Sequence, residues 1–475
     1  IGLALATTLG VTAIIGVTLF QRLVNGNEIA WVYDLLGTGD DVVLAVRLIA
    51  QPLGLVLAII ASVLWPLTAV YAVGYMKHEH AQNRFFTYLV MVEGTAMGIC
   101  LSGDLLTFFI FYELLTLLVY PLVVHEESAE AVHAGRTYLA YLLIGETLVF
   151  GALFVVVMAA EGVPVFTGGG VAEQIGLSSG SVLAVLLLGF WGFAAKAAVM
   201  PMHAWLPDAM IAPTPVSAVL HAVAVVNVGV LGIFTLLYTV VGVEAGRAAW
   251  FNVWAPWVAS ITIIGGSLIA LRQDEIKRRL AYSTISQLGY MVLGASLLSR
   301  FGLTGGVLHM FAHSLMKIVL FFCAGIIITQ TGKIRFSEIA GLAKRMPVTM
   351  ACFTVGAAGM VGIPPVVGWI SKWVLLEGTF SSGQYALAIV ILVSAMLNLG
   401  YYLPPVMSAY FGRAEEAGET PVAPESVRRR EAPLSMLVPT VAITIAVLVF
   451  GIWPRFPYWL ADQAAAWALG PIGGG

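Results

Sequence analysis

Residues 303–330 read LTGGVLHMFAHSLMKIVLFFCAGIIITQ, and within this apolar run His309, His313 and Lys317 recur every fourth residue. A helix needs about 20 apolar residues to cross the hydrocarbon core of a bilayer, so the run is long enough to span a membrane. Each step of four residues turns a helix by about 400°. The three side chains therefore lie on one stripe that drifts by about 40° and rises about 6 Å per step. Titratable groups at membrane depth are costly and face protein, a partner charge or water. Imidazole changes charge near neutral pH and desolvation tunes a neighbouring lysine, which favours a proton relay over the bland alternative of structural polar packing. The i, i+4 histidine pair is also zinc-ligand spacing. However, His309-Met310-Phe311-Ala312-His313 lacks the glutamate of an HExxH helix and no third ligand is evident, so no metal is assigned.

The rest of the chain has the same character. Of 475 residues 60% are apolar and 10% charged, with 23 basic and 26 acidic side chains and a net charge of -3. Soluble domains carry about 25% charged residues, so this composition excludes an ordinary soluble enzyme and describes an all-α polytopic membrane protein. No basic block is present to neutralise phosphates, which excludes nucleic acid as a partner. Cys100, Cys323 and Cys352 stand far apart without CxxC or CxxCH spacing, and no cofactor site is written in the chain.

Apolar runs between breakers predict thirteen spans, near 1–22, 49–76, 85–101, 105–124, 137–160, 180–200, 215–241, 253–271, 281–299, 303–330, 347–378, 384–410 and 434–453. Residues 459–469 are too short to span and read as an interfacial helix. The chain opens at Ile1, already apolar and without a signal-peptide pattern, so an upstream segment is expected. The connections after even-numbered spans hold fifteen Lys and Arg residues against five on the other side. By the positive-inside rule the visible N-terminus is cytoplasmic and the C-terminus outside, in the cell's inner membrane.

Three lysines fall in neither set of connections. Lys196, Lys317 and Lys372 lie inside apolar runs, as do Glu93, Glu113 and Glu146. Snorkelling to the interface fits only lysines near a span end, and Lys317 is mid-span. Two spans are broken where charges lie. After Lys196 come Pro201, Pro207, Pro213 and Pro215, and Gly362-Ile363-Pro364-Pro365 precedes Gly368 and Lys372. Unwound backbone survives at membrane depth only inside protein or around water, and two such breaks in separate halves point to inverted repeats with ion sites near the midplane.

These residues carry a family resemblance. Glu113 in its aromatic setting, Lys196 before Pro201-Met202-His203-Ala204-Trp205-Leu206-Pro207-Asp208-Ala209, residues 212–222 with His221, residues 276–290, the His313/Lys317 helix and residues 362–373 are similar to the antiporter-like subunits shared by respiratory complex I, Mrp-type Na+/H+ antiporters and membrane-bound hydrogenases. The flavour is closest to the D-type component of Mrp and to related hydrogenase subunits. The resemblance implies a core of fourteen helices with two inverted five-helix repeats, each containing a broken helix. On this reading residues 1–84 are N-terminal helices, 85–241 the first repeat, 253–410 the second, and 411–475 a cytoplasmic loop, last span and tail. It further implies partner membrane subunits in a Mrp-, hydrogenase- or complex I-like assembly, surrounding lipid, and H+ as the translocated ion with Na+ as an alternative. In the family pattern Glu113 pairs with Lys196, and a polar axis continues through His221, His309, His313 and Lys317 to Lys372.

Two positions depart from that pattern. Asn227 stands where the family usually has a bridging lysine, and Glu146 where a small residue is common; Glu146 and Asp104 are expected as modulators. An amide holds water but takes up no proton at physiological pH. The expected function is a proton- or cation-translocating subunit with two linked half-channels. The alternatives are a non-pumping structural or coupling subunit, and a stand-alone secondary transporter. No intrinsic active site is evident, so any redox chemistry belongs to a partner.

Overall fold

The computed structural model describes residues 2–19, 21–22, 26, 28–36, 44–160, 162–413 and 431–470. The first half contains α1 (Gly2–Leu19), α2 (Pro52–Tyr75), α3 (Gln82–Cys100), α4 (Leu105–Val123), α5 (Ala129–Ala160) and α6 (Ser179–Lys196). The short α7 (Trp205–Asp208) then leads to α8 (Thr214–Ala222) and α9 (Val225–Thr235). The second half contains α10 (Val243–Ala248), α11 (Phe251–Arg272), α12 (Ile276–Ser296), α13 (Arg300–Thr331), α14 (Pro347–Val361), α15 (Gly368–Ser381), α16 (Tyr385–Phe411), α17 (Leu434–Ile452) and α18 (Arg455–Leu469).

Helices occupy all thirteen expected spans, and ten helical segments are long and apolar enough to cross a membrane. The stretch 303–330 becomes α13, a 32-residue helix packed on α8, α12, α14 and α15 with its middle wholly buried. Ser299 caps its first turn, its side chain accepting from the Gly302 amide, and Gly332 at φ 72° ends it in the left-handed conformation that glycine adopts without strain.

A two-stranded antiparallel hairpin, β1 (Ala30–Leu36) and β2 (Leu44–Ile49), precedes α2 and was not expected. It is anchored to the α3–α4 turn by the Ile49 amide on the Leu101 carbonyl (2.6 Å) and the Gly103 amide on the Arg47 carbonyl (2.8 Å). The α5–α6 connection joins the same face through the Phe166 amide on the Gly103 carbonyl, and α18 through the Gly169 amide on the Ala468 carbonyl. We call this the hairpin face. The helix expected over 459–469 begins at Arg455. Its Ala461, Ala464, Ala465 and Ala468 are buried against α2 and α13, so its apolar side packs on protein rather than lying free at the interface. Residues 414–430, with Arg428, Arg429 and Arg430 of the basic side, lie outside the described residues.

Both expected breaks exist, and a third lies where neither proline nor glycine marks it. The helix ends at Lys196, and α14 ends at Gly362 with φ 93°. Between α8 and α9 the Ala224 amide reaches back to the Val219 carbonyl and the regular ladder resumes from Val225.

Candidate ion-pathway site

In the first half, α5 and α6 cross at glycines. A Cβ on Gly145 would sit 2.6 Å from Ala195 Cβ and 2.8 Å from the Gly192 carbonyl oxygen, so only hydrogen fits. This close approach brings Glu146, the next residue on α5, to Lys196 at the end of α6. Lys196 Nζ lies 2.9 Å from Glu146 Oε1, with both side chains 1% exposed. It also donates to the Tyr112 carbonyl (2.7 Å) and sits 3.4 Å above the centre of the Tyr112 ring, a cation–π contact. The Thr116 hydroxyl donates to the same Glu146 oxygen.

The expected Glu113–Lys196 pair is therefore replaced by a Glu146–Lys196 pair. Tyr112 turns its ring and carbonyl to the lysine, and Glu113, about 100° further round the helix, is left half-buried at its side. Its carboxyl stays within hydrogen-bonding reach of Glu146 and within electrostatic reach of Lys196. Two carboxyls thus share one ammonium, with Glu146 in direct contact. Replacing Gly192 by valine should push α5 and α6 apart; overpacking of this kind costs about 1–3 kcal/mol. A lowered thermal unfolding midpoint together with reduced ion-coupled activity is the expected result in the purified assembly.

Between the halves, His221 on α8 is fully buried with its ring 4.7 Å from that of Phe321, and neither ring nitrogen has a hydrogen-bond partner. Asn227, in the first turn of α9, donates from Nδ2 to the Ala222 carbonyl (2.6 Å) and to Ser314 Oγ on α13 (2.9 Å). The amide thus satisfies a carbonyl freed by the α8–α9 break, while its Oδ1 is buried and unpartnered. His313 is also buried with both ring nitrogens unpartnered, within electrostatic reach of Lys317, His309 and His221.

The ladder on α13 continues in both directions. The His309 ring is 6.5 Å from that of His313; its Nδ1 is 2.9 Å from Ser371 Oγ on α15 and its Nε2 3.0 Å from Gln287 Oε1 on α12. Lys317 Nζ donates to the Leu280 carbonyl (2.7 Å) and to the Ser283 hydroxyl, which is 2.8 Å from the Tyr402 hydroxyl. Lys372 Nζ donates to the Met360 and Val361 carbonyls (2.7 and 3.1 Å) at the C-terminus of α14, where the helix dipole favours a cation. It lies 5.1 Å from the centre of the Tyr290 ring, itself 5.3 Å from the His309 ring. Asn398 on α16 donates to the same Met360 carbonyl (3.2 Å). Among the described residues no carboxylate is paired with Lys317 or Lys372, in contrast to Lys196.

Asp104 serves a different purpose from the one expected. Its side chain caps α4 by accepting from the Thr107 amide (2.7 Å) and pairs with Arg47 of β2 (2.8 Å), which fixes the hairpin. Lys277, placed among the loop cations by the sequence, is buried in the first turn of α12 and donates to the Ala212 carbonyl (2.6 Å) ahead of α8. The partners that sequence reasoning missed, Tyr112, Thr116, Gln287, Ser283 and Ser371, are single hydroxyl, amide or aromatic groups in apolar helices; only their helix positions relative to the charges could have flagged them. Among the described residues, potential metal-ligand atoms converge at Glu79, His80 and Glu126, within 4.8 Å of one another in the loops after α2 and α4.

Buried lysines, histidines and carboxyls around two broken helices define a membrane ion-translocation fold. Residues 102–398 match the NADH:quinone oxidoreductase/Mrp antiporter transmembrane family, and the chain belongs to it. It is 32% identical over 461 residues to NADH-quinone oxidoreductase subunit N of Desulforudis audaxviator, covering 95% of this chain and 90% of that protein. It is 30% identical over 455 residues to the A-type Na(+)/H(+) antiporter protein of Alkalihalophilus pseudofirmus, covering 88% of this chain and 54% of that protein. Its fold matches a chain of the Mrp complex from Dietzia sp. (TM-score 0.82, 22% identity, 99% of this chain and 94% of that one) and a chain of an archaeal membrane-bound sulfane sulfur reductase (TM-score 0.85, 22% identity, 98% and 91%).

Proposed function

We propose that this antiporter-like protein moves protons across the cell's inner membrane, through two half-channels and as part of a larger membrane assembly. The observation that carries the reading is the contrast among its three buried lysines. Lys196 is held by carboxyls, whereas Lys317 and Lys372 are held by neutral oxygens. A carboxylate favours the charged lysine, so moving Glu146 or Glu113 away from Lys196 lowers its proton affinity and releases a proton towards His221. The unpartnered nitrogens of His221 and His313 and the free Asn227 oxygen leave polar atoms for water along the route to Lys317, and Lys372 is the far end. Relatives that carry Na(+) in their names support sodium as an alternative coupled ion. The fifteen-to-five basic bias supports a cytoplasmic N-terminus, with the hairpin face outside. Simultaneous recording of pH and Na+ movement in vesicles containing the purified assembly tests the reading; Na+ flux with no proton flux would overturn it.

A coupling role without through-conduction is the second reading, and Asn227 favours it. Asn227→Ala should cost about 1–3 kcal/mol, because the Ala222 carbonyl loses its donor. It should change proton flux little, since the amide carries no proton. Asn227→Lys should raise exchange between the halves or disturb coupling. Complete loss of flux in an assembled Asn227→Ala complex would make the asparagine an essential water-holding link.

A further inference from the structure

Glu93 is an ionisable residue at membrane depth that neither half-channel uses. On α3 it is 0% exposed and both carboxyl oxygens lack a hydrogen-bond partner. Among the described residues no cation pairs with it. An unsatisfied buried carboxyl costs about 1–3 kcal/mol, and more when ionised, so apolar packing tolerates it as the neutral acid. A group retained at such cost inside a membrane calls for a use.

The position of Glu93 supplies one. Seven residues separate it from Cys100, which brings the two within about 20° on one face of α3 and about 10.5 Å apart along the axis. Cys100 lines a cavity of about 10 Å³, with Gln51, Ser102, Thr235 and Thr239 supplying polar groups; this is room for about one water. The cavity lies at the hairpin face, since Gln51 follows β2 and Ser102 bridges to Leu48 of the same strand. On its inner side stands Phe108, with its ring 5.7 Å from that of Tyr112 and 5.5 Å from that of Phe193. This aromatic group separates the cavity from Lys196 and leaves the α3 face as the polar-edged side.

We propose that Glu93 is a proton-binding site of the first half, loaded from the hairpin face through this cavity. The proposal rests on the proton-translocation reading and adds to it the side from which the first half exchanges protons.

Dicyclohexylcarbodiimide tests it, because it reacts with neutral carboxylic acids in apolar surroundings. The acid proton moves to a carbodiimide nitrogen and the carboxylate oxygen adds to the central carbon. The resulting O-acylisourea rearranges to a stable N-acylurea, with no other reactant consumed. The assembled complex is placed in sealed vesicles whose two sides are held at different pH, and modification is read by mass spectrometry. The expected result is strong labelling of Glu93 that follows the pH on the hairpin side alone, with Glu146, paired to Lys196, labelled on the order of tenfold less. Ser102→Leu, which fills the cavity, should remove the pH response while Glu93 remains labelled. Glu93→Gln should lower coupled proton flux several-fold with assembly intact, and Glu93→Asp should restore part of it. The proposal is overturned if Glu93 is never labelled or its labelling follows the opposite side. It also fails if Glu93→Gln retains full flux in preparations where Lys196→Ala has none. Unchanged flux in Lys196→Ala would instead sink the proton-translocation reading, whatever the labelling shows.

Discussion

Lys196→Ala is expected to reduce proton flux through the reconstituted assembly on the order of a hundredfold, the scale of a positioned proton-transfer group. The same change strips Glu146 of its counter-charge inside a membrane helix bundle, where breaking a buried pair costs about 3–5 kcal/mol. The two carboxyls near it should not be equivalent. Glu146→Gln removes the oxygen in direct contact and should cost more flux than Glu113→Gln, which acts through Glu146 and from a half-buried position. Initial rates of pH change after an imposed driving force, on variants shown to assemble, decide the order. A Glu113→Gln defect larger than that of Glu146→Gln would return Glu113 to the role the family pattern gives it.

The second large effect concerns the other half. Lys317→Ala and Lys372→Ala should each block proton movement, and the double variant should do little more than either alone, because groups acting as one unit are non-additive. The geometry makes this demand specific. Lys317 hangs on the Leu280 carbonyl and the Ser283 hydroxyl, Lys372 on the end of α14, and His309 stands between them through Ser371 and Tyr290. Partial losses that simply add would assign the two lysines to independent structural roles.

Much of this is legible in the sequence. Span positions follow from apolar length, and the breaks at Lys196 and Gly362 from proline and glycine, because these signals are local. The Glu146–Lys196 contact is not local. It depends on how closely α5 and α6 approach, and the cue is Gly145 beside Glu146 with Gly192 four residues before Lys196. The α8–α9 break carries no proline or glycine, and its polar flanks His221 and Asn227 look like pathway groups rather than a junction. The hairpin escapes notice because its apolar strands sit between spans, although Trp31-Val32-Tyr33 followed by Gly37-Thr38-Gly39-Asp40 is a strand-and-turn pattern.

The unequal surroundings of the three lysines also bear on membrane voltage. At Lys196 a carboxylate offsets the ammonium, so a proton can pass between the two with little change in net charge at membrane depth. At Lys317 and Lys372 only carbonyl and hydroxyl oxygens are in contact, so each proton bound adds a full elementary charge there. A charge carried across the whole potential gains or loses about 2.3 kcal/mol per 100 mV. The electrical part of the proton-motive force should therefore act chiefly on the second half and the chemical part on the first. Clamping the potential with a potassium gradient and valinomycin, at fixed pH difference, should change the rate most in variants whose slow step lies at Lys317 or Lys372.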